Sequence, residues 1–164
     1  MATVRVQQAP IDIGAECAAL MRDEKGGDRY DIGGIGSFIG TVRDMAKGRH
    51  ITAMTLEHYP GMTERALSAV VAEAERRWRL LGCTVIHRVG RLEPGETIVL
   101  VLAASAHRHD ALEASAFLID WLKTRAPFWK KESFADGAEE WVDAREADDT
   151  AAARWGALPP TAKQ

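Results

Sequence analysis

Four cations lie close together between residues 123 and 132, around a proline and two large aromatic side chains. They are Lys123, Arg125, Lys130 and Lys131. Desolvation or a cationic neighbour lowers the pKa of a lysine and makes its amine a better nucleophile or acid–base group. The segment therefore predicts a cationic cleft with reactive lysines. The plainer alternative is a helix end whose cations complement the helix dipole or point into solvent.

Strand alternation decides which of these cations share a face. Pro127 ends the helix that carries Lys123, because the residue before a proline avoids the helical region. In the strand that follows, Phe128, Lys130 and Glu132 lie on one face, and Lys131 lies on the other. We therefore expect Lys123 and Lys130 to converge on one cleft with an apolar wall.

A second candidate site lies at His107 and Arg108, where the apolar strand TIVLVLAASA turns into a helix. The free N–H groups of a helix start attract anions, and an imidazole and a guanidinium there favour a phosphate or carboxylate seat. Alternatively, His107 caps the helix and Arg108 is solvated. Arg43 ends another strand, where it faces either a cleft or solvent. The remaining histidines show no metal-ligand spacing and are interpreted as structural or surface residues: His50, His58, His87 and His109.

Composition excludes several classes of function. The 164 residues carry a net charge of −3, which argues against a general nucleic-acid surface and leaves anion binding to local cation clusters. No apolar run approaches the roughly 20 residues that span a bilayer. Cys17 and Cys83 lie in no metal or redox spacing, as expected of reduced packing residues in a cytoplasmic protein. The segment GGIGSFIG lacks the dinucleotide-binding spacing, and its Gly36 and Gly40 instead predict a bulge or close backbone approach.

The order of elements predicts one α+β domain over residues 1–155, with a mixed or antiparallel sheet and flanking helices. Strands are expected at 3–7, 35–43, 51–59, 83–90 and 97–106, followed by two strands in FWKKESF and EEWVDA. Helices are expected after Asp12, from Thr63 as the N-cap to Leu81, and from the HRHD segment through Lys123 towards Pro127. Residues 156–164 are predicted to form a disordered tail.

Five segments resemble the large, catalytic subunit of molybdopterin synthase: GSFIGTVRD, TLEHYPGMTE, VIHRVGRLEPGE, SAHRHDALEA and DWLKTRAPFWKKE. The resemblance implies an α/β hammerhead fold and a homodimer of large subunits. It also implies a small ubiquitin-like carrier that completes a heterotetramer and threads its C-terminal Gly-Gly thiocarboxylate into the large subunit. The implied reaction moves sulfur from that thiocarboxylate to cyclic pyranopterin monophosphate, and it needs no metal or other cofactor.

The same resemblance assigns roles to residues. The family's essential lysine pair matches Lys123 and Lys130. Its substrate-binding positions match Thr41, Val42, Arg43, His107, Arg108, Lys131, Glu132 and Arg145. The arginine matched by Arg145 reaches the pocket from the other large subunit. Lys131 stands where other members can have arginine, which keeps the charge but loses the bidentate fork. The segments 23–31 and beyond Trp155 match nothing in the family. The alternatives are a non-catalytic module that binds a ubiquitin-like tail or a phosphorylated pterin, and an unrelated phosphate-ester hydrolase.

Overall fold

The computed structural model describes residues 2–142 and 146–157. Nine strands and four helices follow one another in these ranges: β1 (Ala2–Gln7), α1 (Ile13–Leu20), β2 (Gly34–Thr41), β3 (Met45–Ala46), β4 (Arg49–His58), α2 (Met62–Arg77), β5 (Leu80–Arg88), β6 (Gly90–Leu92), β7 (Thr97–Ser105), α3 (Arg108–Arg125), β8 (Phe128–Phe134), β9 (Glu139–Trp141) and α4 (Glu146–Ala153).

The strands form two sheets. The first has the order β1-β5-β7-β2, and the second has the order β3-β4-β8-β9 with β6 paired to β4. Only β1 and β5 pair in parallel among the described strands. The prediction of an α+β fold with a mixed sheet is therefore confirmed.

The main core lies between the first sheet and the helices α2 and α3. Phe117 and Leu118 of α3 are fully buried there against Val85 and Val101 of the sheet. Burying a side chain of this size contributes about 1.5–3 kcal/mol, so this layer fixes α3 on the sheet. A smaller cluster around Ile86 fills the opposite face of the sheet.

Two glycines allow β2 to lie unusually close to α3 and β7. A Cβ atom on Gly36 would lie 2.2 Å from the carbonyl oxygen of Ala111 in α3. A Cβ on Gly40 would lie 2.6 Å from Val99, and the β2–β7 register shifts between Gly40 and Thr41. The predicted roles of both glycines are confirmed.

Two predicted boundaries of α2 are wrong. The N-cap is Gly61 at φ 79°, a left-handed conformation that glycine adopts without strain, and its N–H donates to Glu64. Thr63 lies inside the helix and accepts a hydrogen bond from the Tyr59 N–H. The helix ends at Arg77 because Trp78 turns extended, and Leu80 already belongs to β5. Trp78 nevertheless packs against the main core, which accounts for its place in the apolar period.

The C-terminal region departs further from the sequence prediction. The second strand predicted in EEWVDA covers only Glu139–Trp141, and the helix α4 was not predicted. Residues 143–145 and 158–164 lie outside the described residues, and with them most of the predicted tail.

Candidate functional site

One pocket collects three of the predicted cations, Arg43, Lys123 and Lys130, and we call it the lysine pocket. It has a volume of about 410 Å³ and lies where the two sheets meet the ends of α3 and α4. Its lining residues are Thr41, Arg43, Met54, His87, Ile98, Val99, Ile119, Leu122, Lys123, Phe128, Lys130, Glu132, Val142 and Asp148.

The local chain path brings Lys123 and Lys130 together. Lys123 lies in the last turn of α3, and Ala126 is extended at φ −77° and ψ 124°, as expected before a proline. The chain then reverses into β8, where Lys130 lies opposite Leu56 of β4. Helix end, proline turn and strand alternation therefore direct both lysines into one pocket, as expected from the sequence.

The polarity of the lysine pocket is graded from rim to floor. Arg43 and Lys123 are exposed at the rim, where the Nζ atom of Lys123 lies 3.8 Å from an Asp148 carboxylate oxygen. Glu132 and His87 are buried at the floor. Burial, with a smaller contribution from the charge of Lys130, lowers the pKa of His87 to about 3, so its ring is neutral at working pH.

A turn holds the backbone next to Arg43. The Val42 N–H donates to the Glu96 carbonyl at 3.0 Å, and the Gly95 N–H donates to the Val42 carbonyl at 2.8 Å. The buried Arg88 guanidinium pairs with the Glu96 carboxylate at 2.9 Å. Val42 is itself buried, so this position contributes backbone and packing, and the Arg43 side chain reaches the pocket.

Arg43 also lines a neighbouring open groove of about 640 Å³, formed with Val42, Asp44, Met45, Pro94 and Gly95. We call it the strand-end groove. Arg43 therefore stands between two concave surfaces, and its guanidinium is available to a ligand in either of them.

His107 and Arg108 line a different cavity, the helix-start pocket, of about 570 Å³. His107 occupies the N-cap position of α3, but its side chain makes no capping hydrogen bond. Arg108 and Lys123 lie fifteen residues apart in α3, which corresponds to about 22 Å along the helix axis. One chain therefore does not bring His107 and Arg108 to the lysine pocket.

Lys131 does not line the lysine pocket either. Lys131 lies on the opposite face of β8, where its Nζ atom is 2.9 Å from Glu139 and 5.8 Å from the centre of the Trp141 ring. Arg145 lies outside the described residues.

Sequence reasoning missed two polar residues that line the lysine pocket, His87 and Asp148. His87 was interpreted as a structural or surface residue. It follows the core-facing Cys83 and Val85 at the two-residue spacing of a strand. A polar side chain that continues a core face indicates a possible role in a site, and this pattern could have identified His87 as a pocket residue. Asp148 lies on α4, and no pattern had predicted that helix.

Two negative findings apply to the ranges 2–142 and 146–157. No group of three or more histidine, cysteine, aspartate and glutamate side chains in them could hold a metal ion. No helix in the same ranges is long and apolar enough to cross a membrane.

The fold and the site together define a class of protein. It is a mixed α+β chain whose small cationic pocket suits an anionic ligand. The MoaE protein family model matches residues 6–125. The molybdopterin synthase catalytic subunit of Ralstonia nicotianae is 53% identical over 162 residues, covering 99% of this chain and 89% of that protein. The chain belongs to the MoaE protein family.

Solved structures agree with this assignment. The molybdopterin biosynthesis MoaE protein from Burkholderia ambifaria has a TM-score of 0.78 at 50% identity, covering 96% of this chain and 99% of that one. A protein–protein complex of subunits 1 and 2 of molybdopterin-converting factor from Helicobacter pylori has a TM-score of 0.66 at 19% identity, covering 87% and 90%. The second similarity concerns the fold alone.

Proposed function

We propose that this chain is the catalytic subunit of a molybdopterin synthase, a sulfurtransferase that converts cyclic pyranopterin monophosphate to molybdopterin. The observation that carries the proposal is the single pocket lined by Lys123, Lys130 and Arg43. Its cations suit both anionic reactants, the cyclic phosphate of the pterin and the C-terminal thiocarboxylate of a carrier protein. Identity of 53% to a named catalytic subunit supports the same activity.

In each sulfur transfer, the thiocarboxylate sulfur forms a carbon–sulfur bond to the pterin side chain and displaces an oxygen substituent from that carbon. Water then cleaves the bond between the sulfur and the carrier's acyl carbon, which leaves the carrier as a carboxylate. Two transfers build the dithiolene. An ammonium group that faces the reacting carbon stabilises the negative charge that develops there. We assign this stabilisation to Lys130, with Glu132 orienting it, and an acid–base or transient nucleophile role to Lys123.

The substrate phosphate is assigned to Arg43 and to the backbone at Thr41 and Val42 beside it, together with His107 and Arg108 from a second copy of the chain. A guanidinium binds phosphate through two parallel hydrogen bonds, which fixes orientation as well as charge. The turn that holds Val42 supports this role, because it limits the motion of the adjacent Arg43 backbone.

A second copy of the chain is part of the proposal. His107 and Arg108 lie about 22 Å along α3 from Lys123, too far to share one small substrate within a chain. A two-fold dimer can place the helix-start pocket of one copy beside the lysine pocket of the other. His107 and Arg108 of one copy then share a site with Lys123 of the other. Arg145 is assigned to the same contribution from the second copy, and Lys131 to the adjoining surface.

Subunit mixing tests the dimer. With the pterin well below its wild-type KM, copies carrying Lys123→Ala and copies carrying Arg108→Ala are each expected to be weakly active alone. Mixed dimers then contain one site with both residues intact, so random mixing restores about one quarter of the wild-type activity. Activity that stays at the level of the separate variants contradicts a shared site.

The partner in the reaction is a small ubiquitin-like carrier with a C-terminal Gly-Gly thiocarboxylate, and two carriers with two large subunits complete a heterotetramer. The Helicobacter pylori protein of the same fold was solved as a complex of two subunits. A cytoplasmic location, predicted from the cysteines, remains part of this proposal.

Reconstitution tests the activity. Purified chain, thiocarboxylated carrier and cyclic pyranopterin monophosphate are mixed, and dithiolene product is quantified for the wild type, Lys123→Ala and the control Lys25→Ala. Product from the wild type and the control, with loss in Lys123→Ala, is the expected result. Tight carrier binding without any product indicates the alternative, a non-catalytic module that binds a ubiquitin-like tail or a phosphorylated pterin.

A further inference from the structure

His87 is a buried polar residue at the floor of the lysine pocket. It lies near the end of β5, opposite Val6 of β1 and Val99 of β7, and only 2% of its surface is exposed. Cys83 and Val85 occupy the same face of β5 and belong to the main core. An apolar side chain would satisfy packing at this position, so the imidazole requires another explanation.

The hydrogen bond of the ring fixes its tautomer. Nδ1 of His87 lies 2.8 Å from the backbone carbonyl oxygen of Arg88. A carbonyl oxygen only accepts, so Nδ1 carries the proton. In a neutral imidazole the other nitrogen is then an acceptor. Nε2 is therefore the acceptor left for the pocket.

The orientation of the ring is also fixed. His87 stacks on Phe128 with the ring centres 3.8 Å apart and the planes inclined by 18°. This stack and the Arg88 carbonyl together restrict rotation of the imidazole, so its acceptor keeps one direction. Phe128 lies two residues before Lys130 on the same face of β8, which places the stacked ring beside that lysine.

Charged groups surround the ring from several elements. Lys130 and His58 both act on it electrostatically. The other charged residues that line the pocket are Arg43, Lys123, Glu132 and Asp148. A carboxylate in the place of His87 would neutralise a nearby ammonium. A neutral nitrogen acceptor can instead orient the ammonium and leave its positive charge available to an anionic reactant.

We propose that His87 is a positioning residue that accepts a hydrogen bond through Nε2 from the Lys130 ammonium in the substrate-loaded site. This inference rests on the proposed function, because it assigns His87 a part in directing the charge of Lys130 at the reacting group.

The test compares two substitutions of His87 in the reconstituted synthase. His87→Phe keeps a flat ring for the stack but has no acceptor, and kcat is expected to fall about 10- to 100-fold with KM nearly unchanged, as for a lost hydrogen bond to a charged group. His87→Gln restores an acceptor near the position of Nε2 and retains more activity. His50→Phe, an exposed histidine outside the pocket, is the matched control.

A double-mutant cycle separates positioning from a purely structural role. Single-turnover rates are measured for His87→Phe in the wild-type and Lys130→Ala backgrounds. Because His87 acts through Lys130, the second background is expected to remove most of the effect of His87→Phe. Equal losses in both backgrounds, or an unchanged kcat in folded His87→Phe, overturn the inference.

Nitrogen-15 NMR of the histidine rings tests it without turnover, so a failure of the proposed function is distinguishable. In the wild-type chain loaded with cyclic pyranopterin monophosphate, without carrier, Nε2 of His87 is expected to show the resonance of an unprotonated nitrogen down to about pH 5, and to shift on Lys130→Ala. A protonated Nε2, or a resonance that does not respond to Lys130, overturns the inference even where dithiolene product forms. An absence of product with the expected NMR result overturns only the proposed function.

Discussion

The lysine pocket and the helix-start pocket both contain predicted anion-binding cations, but they differ in how they are built. The lysine pocket has a buried floor, with Glu132 and His87 almost excluded from solvent. The helix-start pocket is formed around four successive exposed residues, 106–109, at the beginning of α3. Charges interact more strongly in the first pocket, because the surrounding protein has a lower effective dielectric than water.

This difference separates two tasks. A partly desolvated ammonium can stabilise charge that develops during a reaction, whereas an exposed guanidinium mainly attracts and orients an anion. We therefore expect substitutions of Lys130 and the buried floor of the lysine pocket to act on kcat, and those that affect the exposed guanidinium groups of Arg43 and Arg108 to act on KM.

The largest expected effect is that of Lys130→Ala in the lysine pocket. Loss of an ammonium directed at the reacting group should lower kcat about 100- to 1,000-fold and change KM little. Steady-state rates with saturating carrier measure this. A change confined to KM would show that Lys130 acts only in binding and would remove the contrast between the pockets.

Arg108→Ala in the helix-start pocket should have a smaller effect of a different kind. Because an exposed phosphate contact contributes to binding, KM for the pterin should rise about 10-fold and kcat should stay within about 2-fold. Raising the salt concentration should weaken wild-type binding more than binding by the variant. The opposite pattern, a large loss of kcat at unchanged KM, would assign Arg108 to the chemistry.

Glu96→Gln tests the rim of the lysine pocket. The substitution removes the charge that pairs with buried Arg88, while the backbone hydrogen bonds of the turn remain possible. KM should rise about 3- to 10-fold, because the backbone at Arg43 is held less firmly. Glu93→Gln, in the same turn, is the control. Pterin binding measured by calorimetry should show the same order.

Glu73→Gln should leave both pockets unchanged and affect stability alone. Hydrogen bonds from Arg76 and Arg77 lower the pKa of buried Glu73 to about 2 from 4.5. The lowered pKa stabilises the fold above about pH 4.5, and this contribution is lost as the pH falls towards 2.

The variant should therefore be less stable by about 1–3 kcal/mol near pH 7, with a weaker loss of stability in acid. Urea unfolding at several pH values measures this. An unchanged acid dependence would contradict the pairing.

How far the sequence predicts the site depends on the range of the interactions involved. The convergence of Lys123 and Lys130 followed from local rules, a proline that ends a helix and alternation along a strand. The close approach at Gly36 followed from the absence of a side chain. In each case the residues that allow the prediction lie within a few positions of one another in the sequence.

Non-local features were not predictable in this way. The separation of His107 from Arg43 follows from the β2–β7 register, in which Gly34 lies opposite Ser105 and Thr41 opposite Thr97. Arg43 follows the end of β2 and His107 follows the end of β7, and these two strand ends lie at opposite ends of the antiparallel pair. The burial of His87 depends on Phe128, forty-one residues later, and no local pattern contains that contact.

The chain between Lys123 and Lys130 passes through the turn at Ala126 and Pro127, and the number of residues in this segment sets the relative position of the two amines. One inserted residue in the last turn of α3 would rotate Lys123 by about 100° around the helix axis. One inserted residue at the start of β8 would move Lys130 to the opposite face of the strand. Substitutions between positions 123 and 130 change single contacts, but a change of length there separates the two amines. The spacing of this segment is therefore as much a part of the site as the lysines themselves.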